Sequence, residues 1–382
     1  MKKIERLGKY ISEYSVRNKN DDDIQVYSVT NTNGFCTEYF DKDVASKDQT
    51  NYKIVPKGYF AYNPSRINVG SIDCQTVEDR VIVSPLYVVF KADEKRVDND
   101  YLLHYLKSDI GKKYINELAS GSVRANLKFS ILQDFPFPMI PIEEQKEKMA
   151  VIAKIDENIA CCDSIIEKLD LTVKSRFIEM FGDPESNPIG WRDTTIGEVC
   201  YSIKDGPHKS LADIGKENGG HPFISVRNVV NGYIDFSTAK YISDEDYAEA
   251  RKKCCPQKGD MIYTKGGNTG IAKLIDVNVE FANWVHLAIL KFDKGKLNGV
   301  FFENMLNSDY CYEQSQHLTK GIANRDLVLS AMAKIRMYIP PKDIQDEFEI
   351  FVHKIDKSKL AVQEMKNKME ILKASVMQDY FC

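Results

Sequence analysis

The sequence predicts an α+β fold built twice in one chain: two similar globular halves, each followed by a long helix, related by a pseudo-twofold internal repeat. Three observations carry this reading. The stretch EQKEKMAVIAKID from Glu144 returns as IQDEFEIFVHKID from Ile344. Five of its thirteen positions are identical (Gln145/Gln345, Glu147/Glu347, Lys154/Lys354, Ile155/Ile355 and Asp156/Asp356), all at an offset of 200. Both stretches open runs whose apolar residues recur at steps of three and four, the spacing of one helix face. Finally, 382 residues exceed what one hydrophobic core usually holds.

The elements follow in chain order. Residues 1–140 form the first half, where DRVIVSPLYVVF (79–90) has the β-branched content of strands and 99–119 reads as helix. FPFPMIPIEEQ then introduces the first long helix within 141–181, since proline suits a helix entry but not its interior. Its apolar or small positions are Ile152, Ile155, Ile159, Cys162, Ile166, Leu169, Val173 and Phe177, nearly a coiled-coil heptad. Gly182 ends it. The second half, 182–339, repeats the pattern: GDMIYT and HLAILKF as strands, 299–318 as helix. YIPPKDIQ leads into the second long helix, within 340–382, with Phe348, Val352, Ile355, Val362, Met365, Met369, Leu372 and Val376 as its apolar stripe. A continuous helix of this length would run roughly 55 Å. Two such stripes in one chain can cover each other. Shorter echoes bind the halves together: LGKYI from Leu7 with IGEVC from Ile196, VPKGYFAYN from Val55 with CPQKGDMIYT from Cys255, and GSVRANL from Gly121 with GIANRDL from Gly321.

Composition narrows the function classes. With 43% hydrophobic and 28% charged residues, the chain has the make-up of an ordinary soluble globular protein. Nine cysteines include two adjacent pairs, Cys161–Cys162 and Cys254–Cys255, and no Cys-x-x-Cys. Adjacent cysteines suit neither a disulfide staple nor a zinc knuckle, so reduced thiols in a cytoplasmic protein are expected. Neither a signal-peptide core nor a membrane-length apolar run is present. The net charge of −4 argues against coating nucleic acid non-specifically. Lys+Arg and Asp+Glu nevertheless balance in both long segments, at 20 and 19 in 1–140 and 19 and 20 in 182–339.

No catalytic or metal motif stands out, and none is expected. There is no phosphate loop, and the nearest glycine cluster, KGGNTG (265–270), leads into a strand-like IAKLIDV rather than a capping helix. The six histidines lack metal-ligand spacing. What the loops carry instead are side chains suited to base edges and phosphates. YNPSRINVGS supplies Asn63, Ser65, Arg66 and Asn68, and GSVRANLK supplies Ser122, Arg124, Asn126 and Lys128. In the second half, corresponding loops offer Lys204, His208, Lys209, Arg227, Asn228, Lys265, Asn268, Lys320, Asn324 and Arg325. Arg and Lys can pair with guanine edges and Asn with adenine, while the remaining donors hold phosphate. Each of these is also an ordinary solvated turn residue when taken singly.

The whole chain resembles the specificity subunits of Type I restriction-modification systems. The resemblance rests on FPFPMIPIEEQ and MYIPPKDIQDEF before the helices, on MFGDPESNPIGWRDTTIGEVC (180–200), and on the two recognition-domain patterns DGPHKS…HPFISVRNVVNGYIDFSTAKYIS…GDMIYTKGGNTG and VRNKN…NYKIVPKGYFAYNPSRINVGS. It implies two target recognition domains, 1–140 and 182–339, separated by conserved helices (141–181 and 340–382) packed as an antiparallel coiled coil. Each domain would read half of a bipartite, asymmetric sequence in double-stranded DNA. The subunit itself would be non-catalytic and without cofactor. Two methyltransferase subunits and restriction subunits would be its partners, and S-adenosylmethionine, ATP and Mg²⁺ would act there. The chain departs from the pattern at Lys359 and Lys366, which occupy expected seam positions of the second helix and leave its register open. A coiled-coil scaffold that binds proteins without reading DNA remains the alternative, with a self-contained nuclease or methyltransferase behind it.

Overall fold

A computed structural model of the chain describes residues 3–20, 22–37, 49–119, 126–229, 232–321 and 325–381. Two compact units are present: Met1–Asp163 with Glu364–Cys382, and Ser164–Gln363.

The first unit is organised by a four-stranded antiparallel sheet in the order Ile11–Glu13, Val88–Ala92, Phe60–Tyr62, Ile72–Cys74. The second unit has the same sheet in the same order: Cys200–Asp205, Leu287–Phe292, Met261–Thr264, Ala272–Leu274. A two-stranded ribbon accompanies each sheet, Lys3–Arg6 with Pro136–Met139 and Arg192–Thr195 with Arg336–Ile339. The LGKYI/IGEVC echo makes one contact twice. Gly8 N–H donates to Gln133 O and Gly197 N–H to Ala333 O, at 2.8 and 2.9 Å. A Cβ on either glycine would stand about 3 Å or less from that partner.

The segments 99–119 and 299–318 are each two helices, not one. They break into Asn99–Lys107 and Asp109–Ala119, and into Gly299–Leu306 and Asp309–Leu318. The cause is a serine at each break. Ser108 Oγ accepts from Gly111 N–H and Ser308 Oγ from Cys311 N–H, so each starts a new helix instead of continuing the old one. Likewise 79–90 is two strands, Arg80–Val83 and the start of Val88–Ala92, parted by a turn through Pro85.

The long helices span Ile142–Phe181 and Lys342–Phe381, 40 residues each. Gly182 takes φ +77° and donates its N–H to Ile178 O, closing the first helix in a conformation that side-chain-bearing residues rarely adopt. Their ends are built into the units. In the first unit Phe381 packs on Tyr101 with ring centroids 5.1 Å apart; in the second, Phe181 packs on Phe301 at 4.9 Å. The sequence boundaries set each helix apart from the globular halves, whereas the packing divides each between the two units.

In each unit the two helix segments run antiparallel. Lys373 Nζ lies 2.5 Å from Asp156 Oδ1 and Lys366 Nζ 2.6 Å from Asp163 Oδ1 in the first unit; Lys359 Nζ lies 2.6 Å from Asp170 Oδ1 in the second. These lysines are half-buried seam residues, spaced seven apart like their aspartates. Two of the sequence assignments are corrected here. Met365 and Leu372 are exposed, and Lys366 and Lys373 hold the seam beside Val362, Met369 and Val376. The heptad therefore runs unbroken through residues 348, 352, 355, 359, 362, 366, 369, 373 and 376 once lysine is admitted.

The repeated glutamine explains the most faithful part of the repeat. Gln145 and Gln345 are fully buried. Gln145 Oε1 accepts from Asp98 N–H at 2.9 Å, while its Nε2 donates to Ile140 O (2.8 Å) and Arg96 O (3.0 Å). Gln345 does the same with Asn298 N–H (2.8 Å), Pro340 O (2.8 Å) and Lys296 O (3.4 Å). Each clips the start of a long helix to the loop that caps the helix at 99 or 299.

Candidate nucleic-acid interface

Both units assemble their nominated loops with one shared device. In the first, the hairpin connection between Phe60–Tyr62 and Ile72–Cys74 carries Asn63, Ser65, Arg66 and Asn68. Leu127 N–H donates to Pro64 O at 3.0 Å, and Tyr62 hydroxyl donates to Leu127 O at 3.0 Å. This strap brings Asn126 and Lys128 beside that hairpin. In the second unit the equivalent hairpin, between Met261–Thr264 and Ala272–Leu274, carries Lys265 and Asn268. There Leu327 N–H donates to Lys265 O at 2.7 Å and Gly267 N–H to Arg325 O at 3.1 Å. Lys320 and Arg325 thereby join Asn268. In each unit the hairpin and the later loop, some 60 residues apart in sequence, are neighbours for the same backbone reason.

Exposure sorts the nominated side chains. Ser65, Arg66, Asn126, Lys128, Lys204, His208, Lys209, Arg227, Asn268, Lys320 and Arg325 are exposed, and Asn63 and Asn68 are half-buried. Several already have protein partners. Asn63 Oδ1 accepts from Ser65 N–H, Lys209 Nζ lies 3.4 Å from Asp246, Arg227 donates to Thr238 O at 3.0 Å, and Arg325 bonds Gln316 Oε1. Ser122, Arg124 and Asn324 lie outside the described residues.

Two nominations are corrected. Asn228 is 2% exposed, and its amide is consumed internally: Oδ1 accepts from Ser225 N–H, and Nδ2 donates to Asp235 O and to Thr238 Oγ1. Lys265 is 5% exposed, with its ammonium 2.9 Å from Asp326 Oδ1 and 3.6 Å from Asp205 Oδ2. Neither head group faces solvent; both shape loops. The sequence signal was ambiguous, because a lysine beside two glycines reads alike as a phosphate ligand or as a buried ion-pair partner.

Other residues join the site without having been nominated. Asn63 and Arg66 border a recess of about 90 Å³ with Thr30, Asn31 and Ser71. In the second unit Asp205, Lys253 and Asp326 complete the charged cluster around Lys265. Asp326 ends GIANRD, but nothing in its spacing shows that it folds back 61 residues onto Lys265. No three His, Cys, Asp or Glu side chains converge as metal ligands among the described residues, and no described helix is long and apolar enough to cross a membrane.

Each unit thus backs a cluster of polar loops with the same four-stranded sheet, and the chain carries two long helices besides. The sequence matches the family model of the Type I restriction modification DNA specificity domain over residues 3–171 and 188–373, and the chain belongs to that family. It is 23% identical over 273 residues to the Type I restriction enzyme MjaIX specificity subunit of Methanocaldococcus jannaschii, an alignment covering 67% of this chain and 62% of that protein. The chain thus spans a little under two thirds of that relative's length. Against the MjaVIII specificity subunit of the same organism it is 22% identical over 311 residues, covering 78% and 72%. The Escherichia coli EcoKI specificity subunit aligns at 22% over 185 residues, covering 45% and 39%. Among solved structures, a chain from a study of complex assembly and conformational transition of the type I R-M system superimposes with a TM-score of 0.60 at 15% identity, covering 100% of this chain and 97% of that one. The Type-I restriction-modification system S subunit from M. genitalium gives 0.51 at 14%, covering 100% and 96%. These likenesses carry the fold.

Proposed function

We propose that this chain is the non-catalytic DNA-specificity subunit of a Type I restriction-modification complex, acting in the cytoplasm. Each unit reads one half of a split, asymmetric target in double-stranded DNA, and the bases between the halves go unread. The observation that carries this reading is the strap built twice on the same sheet with different residues: one fold holds two non-identical clusters of exposed Arg, Lys and Asn. Two similar readers with different side chains suit a non-palindromic site, as two identical ones suit a palindrome. The exposed Lys and Arg side chains and the amides can meet phosphates and base edges. The chemistry belongs to partners, two methyltransferase subunits whose target adenine leaves the stack, and restriction subunits. The modest net charge fits partners that share the phosphate contacts.

The test is a methylation map. The chain is co-expressed with its neighbouring methyltransferase subunit in a host without adenine methylation, and modified bases are read by sequencing. A split motif with a fixed unread spacer, absent when this chain is omitted, is the expected result. An empty map from a folded complex would favour the protein-binding scaffold.

A further inference from the structure

Lys265 is a buried charged residue of the second unit. Its ammonium reaches Asp326 on one side and Asp205 on the other, and Asp205 is also held by Lys253 at 2.8 Å. Its backbone is equally committed: Lys265 N–H donates to His286 O and its carbonyl accepts from Leu327 N–H. Three loop segments therefore meet on one residue. Asp205 leads into the loop of His208 and Lys209, Lys265 leads into that of Asn268, and Asp326 follows Arg325. The neighbouring glycines show how closely two of these segments pack on residues 283–286: a Cβ on Gly206 would fall 1.7 Å from Asn283 O, and one on Gly266 would fall 1.6 Å from the His286 ring.

In the first unit the same strap is made by Pro64, whose carbonyl takes the place of Lys265 O, and Asn126 stands at the offset of Asp326. The backbone device is common to both readers. Pro64 has no charge with which to make the ionic clasp that Lys265 makes in the second unit.

Resting on the proposed function, we propose that Lys265 is a positioning residue for the second reader: it sets the relative placement of the loops bearing His208, Lys209, Asn268, Lys320 and Arg325, and so governs which bases that half accepts, without touching DNA. Removing its charge leaves the fold a way to survive, because Asp205 keeps Lys253 and the Asp326 side chain is 46% exposed.

The experiment compares Lys265→Met with Lys320→Ala in the full chain co-expressed with its methyltransferase subunit. Methylation maps are recorded, and the affinity of each purified complex for a duplex carrying the wild-type motif is followed across a salt series. Lys265→Met is expected to melt at the wild-type temperature, to accept altered bases in one half of the motif only, and to keep the wild-type salt slope. Discrimination against single-base changes in that half should fall about tenfold or more. Lys320→Ala should keep the motif and flatten the log–log salt slope by about one contact. Should Lys265→Met fail to fold, Asp326→Asn cuts the same ion pair at a solvated site and should relax the same half. The proposal is overturned if Lys265→Met flattens the slope with the motif intact, which would make Lys265 a phosphate ligand. It is also overturned if motif and slope both stay unchanged, which would leave only packing. A wild-type complex that yields no split motif would instead sink the underlying reading.

Discussion

Gln145 and Gln345 show how a repeated residue can report structure, not function. Each satisfies one buried N–H and two carbonyls. Replacing either with alanine strands all three in a dry site, which is expected to cost about 1–3 kcal/mol. Thermal unfolding of Gln145→Ala and Gln345→Ala would measure it, and an unchanged melting temperature would refute the clip. The thiols give a second residue-scale expectation. Burial pushes Cys74, Cys200, Cys254 and Cys311 up to about 12, while Cys161 is exposed. Native alkylation at mild alkaline pH should reach Cys161 and spare those four until the chain unfolds, as peptide mapping would show. The sign of the pH effect follows. The folded state holds these protons more tightly, so their contribution to stability is complete below the ordinary thiol value and declines as pH rises from there toward 12.

The elements behave as shared property of the units. Phe381 is the last described residue of the second long helix, yet it is part of the first unit's core with Tyr101, Tyr105 and Phe137. Phe381→Ala is expected to destabilise that unit by about 3–5 kcal/mol, the usual range for a buried phenylalanine. Limited proteolysis with mass spectrometry should show new cuts in residues 1–140 and none in 182–339. The Lys–Asp ladder makes a finer claim. A double-mutant cycle on Lys373 and Asp156 should give a coupling of about 0.2–1 kcal/mol, as for partly solvated pairs. A vanishing coupling would leave register to the apolar seam alone. The ladder is one-sided, with aspartates on the first helix and lysines on the second. Lysine in a seam weakens packing but specifies which helix faces it.

At the scale of the whole molecule, the duplicated sheets give the proposed function a direct test, because each unit has its own sheet to carry its loops. Exchanging residues 182–339 for another domain of this family should change one half of the methylated motif and leave the other half as it was. Changes in both halves would count against independent readers. Methylation mapping of the chimaera decides the matter with the same assay as the wild-type chain.

The sequence by itself determined the duplication, the α+β class, the long helices and the loops that carry the exposed polar residues. All of these are written in local periodicity or in a repeat offset, and both survive without knowledge of any contact. The breaks at Ser108 and Ser308 were legible in principle, since serine is a strong helix starter, but the flanking helical spacing hid them. Only the tertiary structure decided where each side chain spends its polar atoms. Lys265 and Lys320 look alike in TKGGNT and TKGIANRD, yet one is buried between two carboxylates and the other is exposed. Lys366 and Met365 exchange the roles that hydrophobicity predicts, because Asp163 waits across the seam. Burial and pairing depend on partners scores of residues away, and no local pattern encodes those.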